Sequence, residues 1–134
     1  MMKNAIIIFS CIAIFSYSCS EKRKQEKLIG SWDVVFLTAA ESGSDVTWTF
    51  AEGGSLFVTS RGTDTTIVDS ASYFMDSKFL DAYYVTISDL NYWEDGKYMI
   101  QKMNRKILIM ERVMMPDGQT SGSYLHKEFV KKEQ

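Results

Sequence analysis

The chain has 134 residues, of which 46% are hydrophobic, and a formal net charge of −2. That length accommodates one domain, and 3 Trp, 7 Tyr and 8 Phe are enough aromatic residues to build its core. A slightly acidic chain without a face rich in Lys and Arg is not expected to bind nucleic acid. With 1 His and 2 Cys, it lacks the ligands for a metal cluster and the cysteines for a disulfide framework, so we expect no cofactor.

The first 18 residues have the pattern of a secretory signal peptide. Lys3 precedes an apolar run at residues 5–15, and mostly small residues follow at 16–20. A helix needs about 20 apolar residues to span a bilayer, so the run is too short for a transmembrane helix. It fits the apolar core of a signal peptide. A buried N-terminal helix is the alternative, which the charged residues after Cys19 disfavour.

The end of this segment resembles the lipobox of bacterial lipoproteins. Ser18 matches the small residue before the modified cysteine, Cys19 matches that cysteine, and Ser16 stands where the pattern prefers Leu. The resemblance implies cleavage after residue 18 and acylation of Cys19, with palmitate as an acyl group. Cys11 leaves with the signal, so the mature chain has no free thiol. Because Ser20 replaces the Asp that retains many lipoproteins at the inner membrane, we expect an outer-membrane anchor facing the periplasm, with surface exposure as the alternative.

Residues 19–27 are expected to be a tether between the lipid and the domain. From residue 20 onwards they include four basic and two acidic side chains and no large apolar group. They are interpreted as a solvated spacer, or alternatively as a weak contact with anionic head groups. The remaining residues, 28–134, contain 10 Lys and Arg against 15 Asp and Glu, so the domain itself carries a charge of −5.

Alternating apolar residues and turn signals predict eight strands after residue 28. The first begins at Gly30, and the others fall near residues 46–50, 56–58, 65–75, 83–87, 98–100, 107–110 and 124–130. Clusters of Gly, Asn and Asp at 52–54, 94–96, 104–105 and 116–118 indicate turns. After Cys19, no window of 11 or more residues has sustained helical spacing, and one helical turn is expected around 27–29.

An eight-stranded meander predicts an all-β, up-and-down antiparallel barrel over residues 28–134, because closure removes exposed strand edges. A two-sheet sandwich produces the same pattern of short strands and turns, so it stays as an alternative. Several strands are apolar on both faces, as at Val34 and Val35. The pattern therefore does not say which face points inward.

Gly30, Ser31 and Trp32, at the start of the first strand, resemble the Gly-x-Trp motif of lipocalins. With eight strands and a lipoprotein signal, residues 28–131 are similar to the small lipocalin-like domains of bacterial lipoproteins. The resemblance implies that Trp32 fills the closed end of the barrel and packs against an Arg from a late strand. Arg112 is the candidate for that Arg by position. Truncating a Trp in such a place costs about 3–5 kcal/mol.

Catalytic chemistry is not expected. His126 is the only imidazole, no Gly-x-Ser-x-Gly motif presents a nucleophile, and no second nitrogen or sulfur ligand accompanies His126. The Met residues lie mostly at strand spacing, which favours core packing or pocket lining. The sequence therefore indicates a binding protein and not an enzyme.

Two binding functions are compatible with the sequence. In the first, the barrel holds a small apolar or amphipathic ligand, and the candidate contacts are Trp48, Phe50, Phe57, Tyr84, Tyr98 and Ile100. In the second, side chains fill the barrel, and the domain binds an envelope protein through the loop that contains Tyr92 and Trp93. A lid folded over the barrel end is the alternative role for that loop. We favour the ligand, since aromatic residues greatly outnumber catalytic groups.

Overall fold

The computed structural model describes residues 22–35, 45–78, 82–120 and 125–133. It is an all-β closed barrel of eight antiparallel strands with a short helix, α1, at residues 22–28. The strands are β1 (Gly30–Val35), β2 (Asp45–Phe50), β3 (Ser55–Arg61), β4 (Thr66–Lys78), β5 (Ala82–Ser88), β6 (Gly96–Met103), β7 (Ile107–Met114) and β8 (His126–Lys131). The expected signal segment and Cys19 lie outside the described residues.

Each strand pairs with its neighbours in sequence, and β8 pairs with β1 to close the barrel. At the closure, Trp32 of β1 lies between Trp48 of β2 and Lys131 of β8. The predicted eight-stranded meander barrel is therefore confirmed, and the two-sheet sandwich is wrong. Closure leaves no unpaired edge among the eight strands.

The alternation along each strand decides which side chains enter the core. In β5, Tyr83, Val85 and Ile87 are buried, whereas Tyr84 and Thr86 between them are partly exposed. Successive strand side chains point to opposite faces, so one buried residue in a strand determines the orientation of the others. This pattern identifies the inward face that the sequence left open.

The turns that join β2 to β3 and β6 to β7 lie where the sequence predicts them. Between β2 and β3, Gly53 and Gly54 have positive φ angles of 84° and 89°, which suit glycine. Between β6 and β7, the Asn104 side-chain oxygen accepts hydrogen bonds from the amides of Lys106 and Ile107, both at 2.8 Å. That side chain therefore replaces backbone partners in the turn, as Asn commonly does.

The two ends of the barrel differ. We call the end that carries α1, Gly30 and the β2–β3 and β6–β7 turns the base, and the opposite end, which carries the β5–β6 loop, the mouth. At the base, the Trp32 indole nitrogen donates to the Leu28 carbonyl oxygen at 2.8 Å, and both residues are fully buried. Helix α1 is therefore fastened to the core through its last residue.

Two expectations about the base need correction. The residue over the Trp32 ring is Lys131, with its Nζ 4.4 Å from the ring centroid. Arg112 instead lies at the mouth, because the register pairs it with Tyr98 near the start of β6. In addition, residues 22–27, which we expected to be an unpacked tether, belong to α1. Gln25 in this helix interacts with the Tyr73 hydroxyl, which donates to the Ala51 carbonyl at 2.6 Å.

Gly30 has a structural reason to be glycine. Its φ of 129° is one that other residues rarely adopt, and a β carbon there would collide with Nζ of Lys131. The same Nζ donates to the Ile29 carbonyl oxygen at 2.9 Å. Gly30 therefore leaves the space in which Lys131 reaches the Trp32 ring.

Candidate interaction loop

The six residues expected to contact a ligand are divided between the two faces of the barrel. Trp48, Phe50 and Tyr98 are buried in the core, and Ile100 packs partly buried against it. Phe57 and Tyr84 lie on the outer face, because each is flanked in its strand by inward-facing residues. The structure thus brings four of the six together, and an internal ligand is not expected to touch the other two.

The inward aromatic side chains pack on one another. The Trp48 and Phe129 rings are 5.4 Å apart between centroids, and the Phe50 and Tyr73 rings meet edge to face at 5.1 Å. Trp48 is 2% exposed, and Phe50 and Phe129 are fully buried. These rings therefore pack on one another in the part of the barrel where the ligand prediction places an apolar molecule.

The mouth carries the loop between β5 and β6, residues 89–95, which we call the mouth loop. The Asp95 carboxylate accepts hydrogen bonds from the amides of Leu90 at 3.0 Å and Asn91 at 3.3 Å. The Asn91 side chain accepts one from the Glu94 amide at 2.9 Å. These bonds close the loop on itself, as Asp and Asn side chains do in tight turns.

Arg112 holds the mouth loop from below. Its guanidinium is buried, and Nη1 donates to the carbonyl oxygens of Trp93 at 2.7 Å and Asp95 at 3.2 Å. The Tyr98 hydroxyl donates to the carbonyl oxygen between them, that of Glu94, at 2.5 Å. The carbonyl oxygens of three successive residues, 93–95, thus accept hydrogen bonds from side chains of β6 and β7.

The charges around Tyr98 support this arrangement. Burial, and secondly the negative charge of Glu94, raise the pKa of the Tyr98 hydroxyl well above its usual range. Tyr98 therefore keeps its proton and stays a hydrogen-bond donor.

An ion pair links the same loop to β8. The Lys127 ammonium lies 2.8 Å from a carboxylate oxygen of Glu94 and 5.1 Å from the Trp48 ring centroid. Lys127 is not among the site residues predicted from the sequence. Lys127 lies two residues before Phe129, and residues two apart in a strand share a face. An apolar residue at 129 was therefore the signal that could have placed Lys127 on the inward face.

The fixed backbone leaves two aromatic rings in solvent. Trp93 is 75% exposed and Tyr92 is 56% exposed, and their rings meet edge to face at 5.5 Å. The backbone of the mouth loop is bound to groups at the mouth, and its two largest side chains face outward.

Open pockets border both ends. Beside the mouth loop, a pocket of about 300 Å³ lies between β5, the start of β6 and the segment after β7, including Ile87, Asp89, Lys97, Met114 and Pro116. At the base, a pocket of about 430 Å³ is lined by Arg23, Glu26, Lys27, Arg105 and Lys131.

The described residues contain no cluster of three or more His, Cys, Asp or Glu side chains placed to hold a metal ion. His126 is exposed and lies 3.0 Å from a carboxylate oxygen of Glu128, two residues along β8. Within the described ranges, α1 has neither the length nor the apolar character that crossing a membrane requires.

No family model matches the chain, and no curated protein matches it.

Proposed function

We propose that this chain is a lipid-anchored, lipocalin-like protein of the bacterial envelope that binds another envelope protein through Tyr92 and Trp93. The anchor is Cys19, after cleavage of residues 1–18, and the site of action is the periplasmic face of the outer membrane. The domain performs no chemistry of its own.

The observation that carries the proposal is the exposed Tyr92–Trp93 pair on a backbone that Arg112 and Tyr98 hold in place. Trp and Tyr are enriched among the residues that dominate binding energy at protein interfaces. A loop that is ordered before it meets its partner loses less conformational entropy on binding. The mouth loop has both properties.

The exposed area of Trp93 limits the free energy that this residue can contribute to binding a partner. A Trp residue presents about 250 Å², so burying the 75% that is exposed removes about 190 Å² from water. At about 25 cal/mol per Å², this is worth up to about 5 kcal/mol before ordering and desolvation costs. A loss of about 2 kcal/mol on truncation, or about 30-fold in affinity, is a reasonable expectation.

Carriage of a small apolar ligand inside the barrel is the competing prediction. It requires a molecule to displace the packed rings of Trp48, Phe50 and Tyr98, or to share their space. The binding of a protein at the mouth requires no such displacement, which is why we favour it.

The experiment compares Trp93→Ala with Phe74→Ala in the full chain, purified from membranes together with whatever it binds. Phe74 is a matched control, because it is a large aromatic residue, 66% exposed, on the side of the barrel. We expect a stoichiometric protein partner that is lost with Trp93→Ala and kept with Phe74→Ala. A co-purifying small molecule that Trp48→Ala releases, with no protein sensitive to Trp93→Ala, contradicts the proposal and supports carriage.

A further inference from the structure

We infer that the base of the barrel is a docking surface for the head groups of an anionic phospholipid bilayer. Helix α1, the β6–β7 turn and the end of β8 form this surface. The inference uses the proposed lipid anchor for one point, the short distance between the membrane and the base. Charge and shape at the base support it independently.

The basic pocket at the base is the centre of this surface. Arg23 and Lys27 of α1 face Arg105 of the β6–β7 turn and Lys131 of β8 across a volume of about 430 Å³, with Glu26 as the one acidic residue in its lining. Among the described residues, no ion pair joins any of these four cations to a carboxylate. Phosphate oxygens of a lipid head group would supply the missing negative charge.

Lys131 is held at this pocket. Its Nζ donates to the Ile29 carbonyl and lies over the Trp32 ring, and burial lowers the pKa of its ammonium group. An anion placed in the pocket would offset this desolvation by favouring the charged form.

Charge is segregated along the barrel. Helix α1 contributes four basic residues, and residues 105–106 and 131–132 contribute two each, against acidic side chains at Glu26, Glu52 and Glu133. The domain from residue 28 onwards nevertheless carries a charge of −5, so acidic residues dominate elsewhere, as at Asp45, Asp64 and Asp89 at the mouth. A negatively charged surface would therefore attract the base and repel the mouth.

The distance between mouth and base favours attraction of the base to an anionic membrane. Seven of the eight strands have six to eight residues. At a rise of about 3.3 Å per residue, and after strand tilt, this separates mouth from base by about 15–20 Å. The screening length in physiological salt is about 8 Å. A membrane in contact with the base is thus about two screening lengths from the acidic mouth, and the nearby basic groups dominate.

The proposed anchor brings the membrane to this end. Helix α1 begins at residue 22, three residues after Cys19. Three residues span at most about 10 Å in any conformation. A lipid on Cys19 therefore keeps the base close to the head groups, and docking directs Tyr92 and Trp93 away from the bilayer toward a partner.

The test uses the full chain extracted from membranes and reconstituted into vesicles of phosphatidylcholine alone or with about 30% phosphatidylglycerol, an anionic lipid. Flotation with the vesicles reports the anchor, and amide hydrogen exchange of residues 22–28 and 103–107 reports docking. We expect flotation with both vesicle types. We expect exchange at the base to be at least tenfold slower only with the anionic lipid, an effect lost at about 0.5 M salt.

Two charge reversals of equal size locate the surface. Arg105→Glu, in the exposed β6–β7 turn, should abolish the protection, whereas Arg61→Glu, exposed at the mouth, should leave it unchanged. Flotation with both vesicle types but equal exchange in both would overturn docking and leave the anchor standing. Flotation with anionic vesicles alone would contradict the anchor and support docking. An equal loss of exchange protection in Arg105→Glu and Arg61→Glu would overturn docking at the base.

Discussion

Replacing Arg112 by Met tests how the mouth loop is held. Met keeps an unbranched stem of similar length but removes the guanidinium that binds the Trp93 and Asp95 carbonyls. Those oxygens would then have to turn to solvent or lose their partners. We expect the loop to detach locally while the barrel stays folded.

The size of the effect follows from two opposing contributions. Hydrogen bonds from a charged donor are worth about 1.5–3 kcal/mol each, so losing two costs several kcal/mol. Removing a buried guanidinium recovers part of this, because its Nε has no hydrogen-bond partner among the described residues. A net loss of about 2 kcal/mol is expected, and a domain near 100 residues then unfolds about 8–16 °C lower.

The assay is thermal unfolding followed by circular dichroism, combined with amide hydrogen exchange of the mouth loop. Arg61→Met is the control, since Arg61 is exposed at the same end and its replacement should change stability by less than about 0.5 kcal/mol. If the unfolding midpoint of Arg112→Met lay within a degree of the parent value, with exchange at residues 93–95 unchanged, Arg112 would not hold the loop.

Three further predictions concern the core and the mouth. Trp32→Ala should cost about 3–5 kcal/mol in urea unfolding, because this side chain is fully buried, and an unchanged midpoint would remove Trp32 from the core. Gly96→Ala should destabilise the chain more than Gly53→Ala, since a β carbon at Gly96 meets the Met114 carbonyl and one at Gly53 meets nothing; equal midpoints would refute this. Burial raises the pKa of Tyr98, so above pH of about 10 the unfolded chain releases this proton first, and the free energy of unfolding falls as pH rises. Tyr98→Phe should reduce that fall, and identical slopes above pH of about 10 would contradict the assignment.

Local sequence patterns were sufficient to predict the strands. In β5, the alternation from Tyr83 to Ile87 and the flanking polar residues specify a half-buried strand. The choice between barrel and sandwich depended on whether β8 pairs with β1, across almost the whole chain. No local pattern reports that contact, and the same is true of which face points inward.

Long-range register also explains the misplaced residues. Arg112 was assigned to Trp32 by its place in a late strand, but the β6–β7 pairing puts it beside Tyr98 at the mouth. Phe57 was selected as an aromatic residue without knowledge that Leu56 and Val58 face inward. Tyr92 and Trp93, by contrast, were placed on a loop correctly, because Asp95 and Gly96 end the polar segment and begin a strand.

The extent of the helix was missed for a different reason. Residues 22–27 contain no large apolar side chain, so neither burial nor periodicity indicated a packed element. The contacts that fix α1 come from residues outside it, through the hydrogen bond from Trp32 to the Leu28 carbonyl and the interaction of Tyr73 with Gln25. Tertiary contacts therefore stabilise residues 22–27 as a helix, although their composition alone predicts a solvated spacer.

The most direct test of the central claim, that this barrel acts through its mouth loop, is photo-crosslinking in intact cells. A photoreactive amino acid replaces Trp93 in one variant and Phe74 in another, both exposed in the isolated chain. We predict one discrete protein adduct from position 93 and none of that mass from position 74. The same adduct from both positions, or none from position 93, would contradict the claim.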